Sequence, residues 1–277
     1  MKDSEGIQLL QWCLPRLHLR WPGFRKVRRQ VYKRIDRRLK ELELSGPDEY
    51  RAYLDTHPAE WKILDELCWI SISRFYRDKG VFQFLEREVL TQIAQAVSAK
   101  GEQEVRGWSI GCASGEEPYT LAILWKLVLA PRWPSLCLRI LATDADPRAI
   151  ERAQRGCYPA SSLKELPGDL LAKACILSAD GFCVKPEYRQ PVNFLLQDVR
   201  QSAPEDRFHL ILCRNLAFTY FDDELQRATL QKISDRLLPE GALVLGSLES
   251  LPEGAAGWEP WSKKLGIYRR SPVIPAP

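Results

Sequence analysis

Two adjacent carboxylates follow a glycine-flanked cysteine near the middle of the chain, in the stretch SIGCASGEEPYTLAI (109–123). An apolar helical run begins at Pro118, directly after Glu116 and Glu117. Unpaired charge is expensive to place at the mouth of a buried element. The pair therefore indicates either acids that complement the dipole of the following helix or a site for a small cationic ligand.

Polar residues also follow other strands predicted from the sequence. The strand in SLCLRILATDAD ends at Asp144, and the strand in FHLILCRN ends at Arg214 and Asn215. In an open α/β sheet, ligands bind at the carboxyl ends of the strands, beside the point where strand order reverses. Gly111, which ends the strand before the paired carboxylates, lets a ligand approach the backbone closely.

These residue types favour a nucleoside ligand over a nucleotide. A carboxylate in the position of Asp144 can accept hydrogen bonds from both ribose hydroxyls of a nucleoside. The chain has neither a G-x-x-x-x-G-K-[ST] phosphate loop nor a G-x-G-x-x-G dinucleotide fingerprint. A nucleoside without a di- or triphosphate, carrying a cation that Glu116 or Glu117 meets, fits S-adenosylmethionine (SAM).

The elements that must position these residues form two patterns. The first 75 or so residues are helical in pattern, with amphipathic or short helices predicted over 25–42, 48–57 and 59–69. From Val105 onward, strands alternate with helices predicted over 118–130, 147–155 and 222–238, which implies a parallel sheet with crossover connections. Between Pro159 and Gln190 this alternation is lost, and a short antiparallel excursion is predicted.

Composition restricts the class of protein. The 277 residues are 45% hydrophobic and 27% charged, which is typical of globular chains. The start of the chain does not resemble a signal peptide, and the most apolar stretch, 121–130, is too short to cross a bilayer. The eight cysteines form no C-x-x-C pair and none lies near a histidine at ligand spacing, so we expect reduced thiols and no metal site.

Positive charge is concentrated near the start of the chain. The net charge is +4, and residues 16–40 contain eleven Lys or Arg against the single acid Asp36. Such a segment suits contact with nucleic acid, an acidic protein or a membrane surface. The alternative is the solvated face of an amphipathic helix.

Four blocks resemble the family of chemotaxis-receptor methyltransferases, the CheR family, and follow one another in that family's order. The similarity extends from about Arg25 to Leu251. SISRFYRD resembles the linker between the family's helical and catalytic domains, and WSIGCASGEEPYTLAI resembles its first SAM loop. ATDADPRAIERAQRGCY resembles its second-strand acidic motif, and LILCRNLAFTYF with LLPEGALVLGSLESL resembles its fourth and fifth strands.

The resemblance implies an α/β fold, namely a Rossmann-like SAM-dependent methyltransferase domain with an all-helical N-terminal domain and a small inserted antiparallel β-subdomain. Residues 1–78 would form the helical domain and its linker, and residues 79–277 the SAM-binding domain. The β-subdomain would be inserted around 160–191. The implied activity is methyl transfer from SAM to a glutamate side chain of a receptor, with S-adenosylhomocysteine as product.

The resemblance also implies functional residues, position by position. Arg77 matches the arginine placed near the methyl group and the acceptor carboxylate. Tyr220 is a second candidate catalytic residue and is equally consistent with a packed aromatic. Asp144 matches the family's ribose-binding aspartate. The full set of implied SAM contacts is Ser71, Ser73, Arg77, Gly111, Glu116, Asp144, Asp198, Val199, Asn215 and Leu216.

The chemistry agrees with these roles. Methyl transfer from a sulfonium is an in-line displacement, and a glutamate with a pKa of about 4.3 is already ionised at neutral pH. Positioning of the carboxylate, rather than a strong general base, supplies most of the catalysis. A lone arginine can hold one carboxylate oxygen and leave the other free to attack. We therefore expect Arg77 to orient the acceptor and Glu116 to face the ammonium end of SAM.

Several positions depart from the family pattern. RNLAFTYF is one residue longer than usual, which moves Tyr220 relative to the strand end. His209 replaces a common aspartate, and Leu248 stands where serine is usual. The insert lacks the glycine-rich loop that some members use to dock a receptor's C-terminal peptide. These departures affect the identity of the substrate more than SAM binding.

Three alternatives stay open at this point. They are a CheR-like methyltransferase acting on a different protein or small acid, a SAM-binding regulator without catalytic activity, and a basic methyltransferase acting on RNA. RNA recognition requires aromatic stacking platforms, which the basic segment does not offer. The main expectation is a cytoplasmic enzyme whose partner is an acidic protein, such as a chemoreceptor or a related signalling protein. No DNA partner is expected, and membrane contact is expected only through a receptor.

Overall fold

The computed structural model describes residues 2–271, which divide into a helical unit and an α/β unit. The helical unit contains the residues up to Ile70 together with Thr219–Gln226. The α/β unit contains Ser71–Phe218 and the residues from Arg227 on. The ends of the predicted domains, residue 1 and residues 272–277, lie outside the described residues. The assignment of 1–78 to one functional domain stays a prediction.

The helical unit confirms the helical pattern of the first 70 residues. Its helices are α1 (Asp3–Cys13), α2 (Trp21–Phe24), α3 (Arg28–Glu41), α4 (Pro47–Thr56) and α5 (Glu60–Leu67). The helix predicted over 25–42 begins three residues later, because a turn separates α2 from α3. Helix α3 buries Val31, Tyr32, Ile35 and Leu39, whose spacing of one to four residues places them on one face. The exposed basic residues of α3 therefore lie on the opposite face.

A seven-stranded sheet forms the centre of the α/β unit. The strands of the whole unit are β1 (Glu104–Ile110), β2 (Cys137–Asp144), β3 (Cys157–Tyr158), β4 (Cys175–Ser178), β5 (Gly181–Val184), β6 (Val192–Leu196), β7 (Phe208–Cys213), β8 (Leu237–Leu245), β9 (Trp258–Ser262) and β10 (Ile267–Arg270). The central sheet has the order β6-β2-β1-β7-β8-β10-β9. Strand order reverses between β1 and β7, so ligand-binding residues are expected at the carboxyl ends of these two strands.

The predicted parallel sheet is confirmed for the strands that the sequence analysis identified, and it continues into two strands, β10 and β9, that the sequence did not predict. Five neighbouring strands, β6, β2, β1, β7 and β8, are parallel, but β10 is antiparallel to both β8 and β9. The described chain contains no α-helix between β8 and β10. A parallel connection needs a long crossover, whereas antiparallel strands need only a short one.

Helices connect the strands as the alternating pattern predicts. They are α6 (Lys79–Phe84), α7 (Leu90–Ala99), α8 (Glu116–Leu124), α9 (Pro147–Arg155), α10 (Gly168–Ala174), α11 (Pro186–Arg189), α12 (Ala217–Tyr220) and α13 (Asp223–Arg236). The helix predicted over 147–155 has those bounds, and the one predicted over 118–130 is α8 continued by a π-helical turn at Trp125–Leu129. Within the described residues, no helix is both long and apolar enough to cross a membrane.

The predicted antiparallel excursion is confirmed as a second, three-stranded sheet of order β3-β5-β4. It corrects the expectation that all cysteines are reduced thiols, because Cys157 and Cys183 form a disulfide. The two residues are direct partners in the register of β3 and β5, with their Cα atoms 3.9 Å apart. The other six cysteines are free.

Candidate functional site

The loop between β1 and α8 has backbone geometry that requires glycine at two positions. Gly111 and Gly115 have φ angles of 67° and 90°, in the left-handed region. A Cβ atom on Gly111 would lie 2.5 Å from a methyl carbon of Leu216. A Cβ atom on Gly115 would lie 3.0 Å from both Ala153 and Phe194. The two glycines therefore keep this loop tight at the carboxyl end of β1, where Leu216 packs against it.

Asp144 joins the end of β2 to this loop. One of its carboxylate oxygens accepts a hydrogen bond from the amide of Ala113 at 2.8 Å, and the other accepts one from the amide of Asp146 at 2.9 Å. Burial raises the pKa of Asp144, although the backbone hydrogen bonds act in the opposite direction. The structure thus places Asp144 beside the glycine loop, as the nucleoside-site prediction requires.

Glu116 is a buried carboxylate with an unsatisfied oxygen. It is the first residue of α8 and is 5% exposed. Its Oε2 atom has no hydrogen-bond partner among the described residues. Burial raises its pKa, while a hydrogen bond with the Ser73 side chain lowers it. A buried oxygen without a partner is costly, so a cationic or hydrogen-bonding ligand would stabilise the ionised form.

The adjacent Glu117 has a different environment. Its carboxylate accepts a hydrogen bond from the hydroxyl of Ser109 at 2.8 Å and pairs with Arg214 at 3.0 Å. Arg214 also donates to the carboxylate of Asp78 at 2.7 Å and to the carbonyl oxygen of Arg77 at 2.9 Å. The sequence pattern predicted Arg214 only at the end of a strand. Its partners lie 97 and 136 positions away along the chain, so no local pattern indicated them.

Arg77 lies in an irregular segment between Ser71 and α6. Tyr76 and Asp78, its two neighbours, have positive φ angles of 58° and 63°. Tyr76 is buried, whereas Arg77 is partly exposed and donates from Nη1 to the carbonyl oxygen of Ile72 at 3.0 Å. Arg77 lies in the α/β unit together with Glu116 and Asp144, and its side chain is partly exposed to solvent.

A second turn supports the carboxyl ends of β7 and β8. Asn215 has a positive φ of 56°, and its amide donates to Oε2 of Glu249 at 2.7 Å. The same oxygen accepts a hydrogen bond from the amide of Gly246 at 2.6 Å. Leu248, in the same turn, is 90% exposed. The glutamate thus fixes the backbone that carries Asn215.

The predicted adenine-framing pair has protein partners of its own. The carboxylate of Asp198 forms an ion pair with Arg200 at 2.7 Å. Val199 is buried, and its carbonyl oxygen accepts a hydrogen bond from Lys232 at 2.8 Å. The contact of Asp198 and Val199 with adenine stays a prediction, as do the predicted SAM contacts of Ser71, Ser73, Asn215 and Leu216.

Tyr220 belongs to the helical unit rather than to the α/β unit. Its ring packs edge-on against Phe24, with ring centroids 5.0 Å apart, and its carbonyl oxygen accepts a hydrogen bond from the amide of Arg20 at 2.8 Å. Of the two roles predicted for Tyr220, packing as an aromatic side chain is therefore observed. A catalytic role for Tyr220 stays a prediction.

The carboxylates around the glycine loop also affect Cys112. This thiol is buried, and burial together with the negative charges of Asp144, Glu117 and Glu116 raises its pKa well above the ordinary value. A protonated thiol is a poor nucleophile. Among the described residues, no group of three or more His, Cys, Asp or Glu could hold a metal ion.

A glycine loop after β1, an acid at the end of β2 and a reversal of strand order between β1 and β7 are typical of nucleoside-binding α/β proteins. The family model described as the CheR methyltransferase SAM-binding domain matches residues 71–264. The chain belongs to the CheR methyltransferase family and is a SAM-dependent methyltransferase of this type.

Two relatives in sequence, from Listeria innocua and Vibrio cholerae, agree with this assignment. A chemotaxis protein methyltransferase from Listeria innocua is 34% identical over 192 residues, which cover 68% of this chain and 70% of the relative. Chemotaxis protein methyltransferase 2 from Vibrio cholerae is 31% identical over 230 residues, which cover 78% and 77% of the two chains. The solved N-methyltransferase NodS from Bradyrhizobium japonicum, in complex with S-adenosylhomocysteine, has 22% identity and a TM-score of 0.31, covering 58% of this chain and 61% of its own.

Proposed function

We propose that this chain transfers the methyl group of SAM to a glutamate side-chain carboxylate of an acidic protein, a chemoreceptor or a related signalling protein. The observation that carries the proposal is the partly exposed Arg77, which shares a unit with the buried, unsatisfied carboxylate of Glu116. The names of the relatives from Listeria innocua and Vibrio cholerae support the chemotaxis setting. In the proposed arrangement, the carboxylate binds the donor and the arginine orients an anionic acceptor.

The residues of the α/β unit fit SAM in chemistry and burial. SAM, when bound, supplies an electrophilic methyl group on a sulfonium. The unpartnered oxygen of Glu116 suits the ammonium group of its methionine part, and Asp144 suits the ribose hydroxyls. Gly111 and Gly115 allow the left-handed turns that keep the loop between β1 and α8 tight. Burial strengthens these electrostatic interactions because screening by water is reduced.

The acceptor step needs orientation more than proton transfer. A glutamate side chain is ionised at neutral pH, so the protein does not have to remove a proton from it. Arg77 would donate to one carboxylate oxygen and leave the other directed at the methyl carbon. A very tight pair would weaken the nucleophile, and the partial exposure of Arg77 is consistent with a looser interaction.

The basic face of α3 supports an acidic macromolecular acceptor. Arg29, Lys33, Arg37 and Lys40 are all exposed and recur every three or four residues, so they form one stripe along the helix. Arg28 differs, because it pairs with Asp3 at 3.0 Å. A stripe of exposed cations attracts an acidic surface and accelerates association.

Transfer of radiolabel from SAM tests the proposal. The acceptors are the cytoplasmic fragments of chemoreceptors encoded in the same genome, and mild base should release the label as methanol if the product is a carboxyl ester. The matched control replaces the acceptor's labelled glutamates with alanine. Label that survives base would indicate another acceptor atom. SAM binding without transfer to any fragment would instead favour a regulatory protein or a different substrate.

A further inference from the structure

Arg214 is a buried arginine that joins three separate parts of the α/β unit. Its side chain is 2% exposed, and it follows β7 directly. It pairs with Glu117 on α8 and with Asp78 at the start of α6, and its guanidinium lies 5.3 Å from the centroid of the Phe82 ring. A buried arginine needs such partners, because its desolvation is otherwise unfavourable.

These bonds act on the backbone that carries Arg77. Left-handed φ angles are unfavourable for residues with a Cβ atom and persist only where the surroundings enforce them. The amide of Tyr76 donates to the hydroxyl of Thr120 at 3.1 Å, and its ring stacks on Phe82. On the other side, Arg214 holds both the carbonyl oxygen of Arg77 and the carboxylate of Asp78. Both neighbours of Arg77 are therefore fixed.

We propose that Arg214 is a positioning residue, which holds Arg77 in the orientation that an acceptor carboxylate requires. Glu117 connects this arrangement to SAM binding, because it follows Glu116 directly in the first turn of α8. The inference rests on the proposed function of Arg77, whereas the packing role of Arg214 can be measured without any acceptor.

Two conservative variants test the proposal. Arg214→Lys keeps the charge but loses the planar arrangement of donors that reaches three partners. Asp78→Asn removes one charge at a side chain that is 33% exposed, so it is the variant expected to fold without difficulty. Arg38→Lys is the matched control, because Arg38 forms a similar pair with the buried Glu60 at 2.7 Å in the helical unit.

Hydrogen exchange gives a readout that needs no acceptor. Amides of residues 72–79 should exchange about tenfold faster in Arg214→Lys and Asp78→Asn, because local opening of this segment becomes easier. The Arg38→Lys control should leave their exchange unchanged. Unchanged exchange of these amides in both test variants would overturn the proposal. This result does not depend on whether an acceptor is known.

A double-mutant cycle with Arg77→Ala then separates positioning from general stability. Asp78→Asn and Arg214→Lys should each lower kcat about tenfold, with SAM affinity changed less than about threefold. In the Arg77→Ala background the same changes should have less than about a twofold effect, since the residue through which they act is gone. If Asp78→Asn or Arg214→Lys lowered kcat as much in the Arg77→Ala background as in the wild type, the proposal would be overturned. Absence of wild-type turnover on every acceptor would instead count against the proposed function.

Discussion

Adjacent residues of one sequence motif acquire different roles through their environments. Glu116 keeps a buried oxygen without a protein partner, whereas the carboxylate of Glu117 accepts from Ser109 and pairs with Arg214. Successive helical residues point about 100° apart, so the two side chains reach different surroundings. The sequence predicted a charged pair beside a ligand loop, but it could not assign the ligand to one member, because that depends on a residue 97 positions away.

Asp144 is the most direct test of the donor site at the residue scale. We expect Asp144→Ala to weaken SAM binding about 10- to 100-fold, because hydrogen bonds to a charged acceptor contribute about 1.5–3 kcal/mol. Titration calorimetry with SAM and S-adenosylhomocysteine measures this. Asp146→Ala is the matched control, since Asp146 accepts from the amide of Arg148 at the start of α9. Normal binding by Asp144→Ala with weak binding by Asp146→Ala would show that the wrong carboxylate was chosen.

His209 should make folding stability depend on pH. It is 9% exposed, its Nδ1 accepts a hydrogen bond from the amide of Arg106, and burial lowers its pKa to about 4. The unfolded state, with an ordinary histidine pKa, binds more protons below about pH 6.5. The contribution of His209 to the free energy of unfolding should therefore be fully present above pH 6.5. It should be lost as the pH falls, which lowers the free energy of unfolding by up to about 3 kcal/mol near pH 4.

Urea unfolding of wild type and His209→Gln between pH 4 and 7.5 checks this. The glutamine variant should be less stable at neutral pH but should lose less stability on acidification. If the free energy of unfolding depended on pH equally in the two proteins, a neutral, buried His209 would be contradicted.

At the scale of elements, α3 carries the prediction about the acceptor. Lys33→Glu with Arg37→Glu should raise the KM for an acidic receptor fragment about tenfold at low salt and leave SAM affinity unchanged. The difference should shrink at high salt, because exposed charges are screened beyond about 10 Å at 0.1 M. Steady-state methylation at two salt concentrations measures both effects.

The control for α3 reverses the same number of exposed charges elsewhere. Lys263 and Lys264 lie in the short turn between β9 and β10 and are both exposed. Their reversal to glutamate gives the same net charge and should leave the KM unchanged. Equal behaviour of the two double variants would identify the basic face of α3 as solvated scaffold.

Elements with a regular pattern were predictable, and elements defined by long-range pairing were not. Helix α9 was predicted with its observed bounds, because Pro147 and the four-residue apolar spacing mark it locally. The antiparallel direction of β10 depends on its pairing with β8. The disulfide between Cys157 and Cys183 likewise depends on the pairing of β3 with β5, and neither pairing has a local sequence signal. The sequence pattern between residues 159 and 190 indicated an antiparallel region but no register.

At the scale of the whole molecule, the methyltransferase class was predictable because its signals are local. The glycine loop, Asp144 and the Arg214-Asn215 strand end are short motifs in a fixed order. The bonds of Arg214 to Asp78 and Glu117 join residues 136 and 97 positions apart and have no such signal. The same reason applies to Tyr220, whose membership of the helical unit follows from its packing on Phe24.

The central claim is that Arg77 orients the acceptor carboxylate in the transition state and that SAM is bound mainly through other residues. Single-turnover methylation of a receptor fragment by radiolabelled SAM tests it most directly, with wild type, Arg77→Ala and Arg77→Lys measured alongside SAM affinity and Tm. If Arg77 acts mainly in the transition state, Arg77→Ala should lower the single-turnover rate about 100-fold or more with nearly unchanged SAM affinity and Tm. Arg77→Lys should restore only part of that rate, because an ammonium lacks the planar fork. A normal rate in Arg77→Ala would contradict the claim, as would a loss explained entirely by a lower Tm.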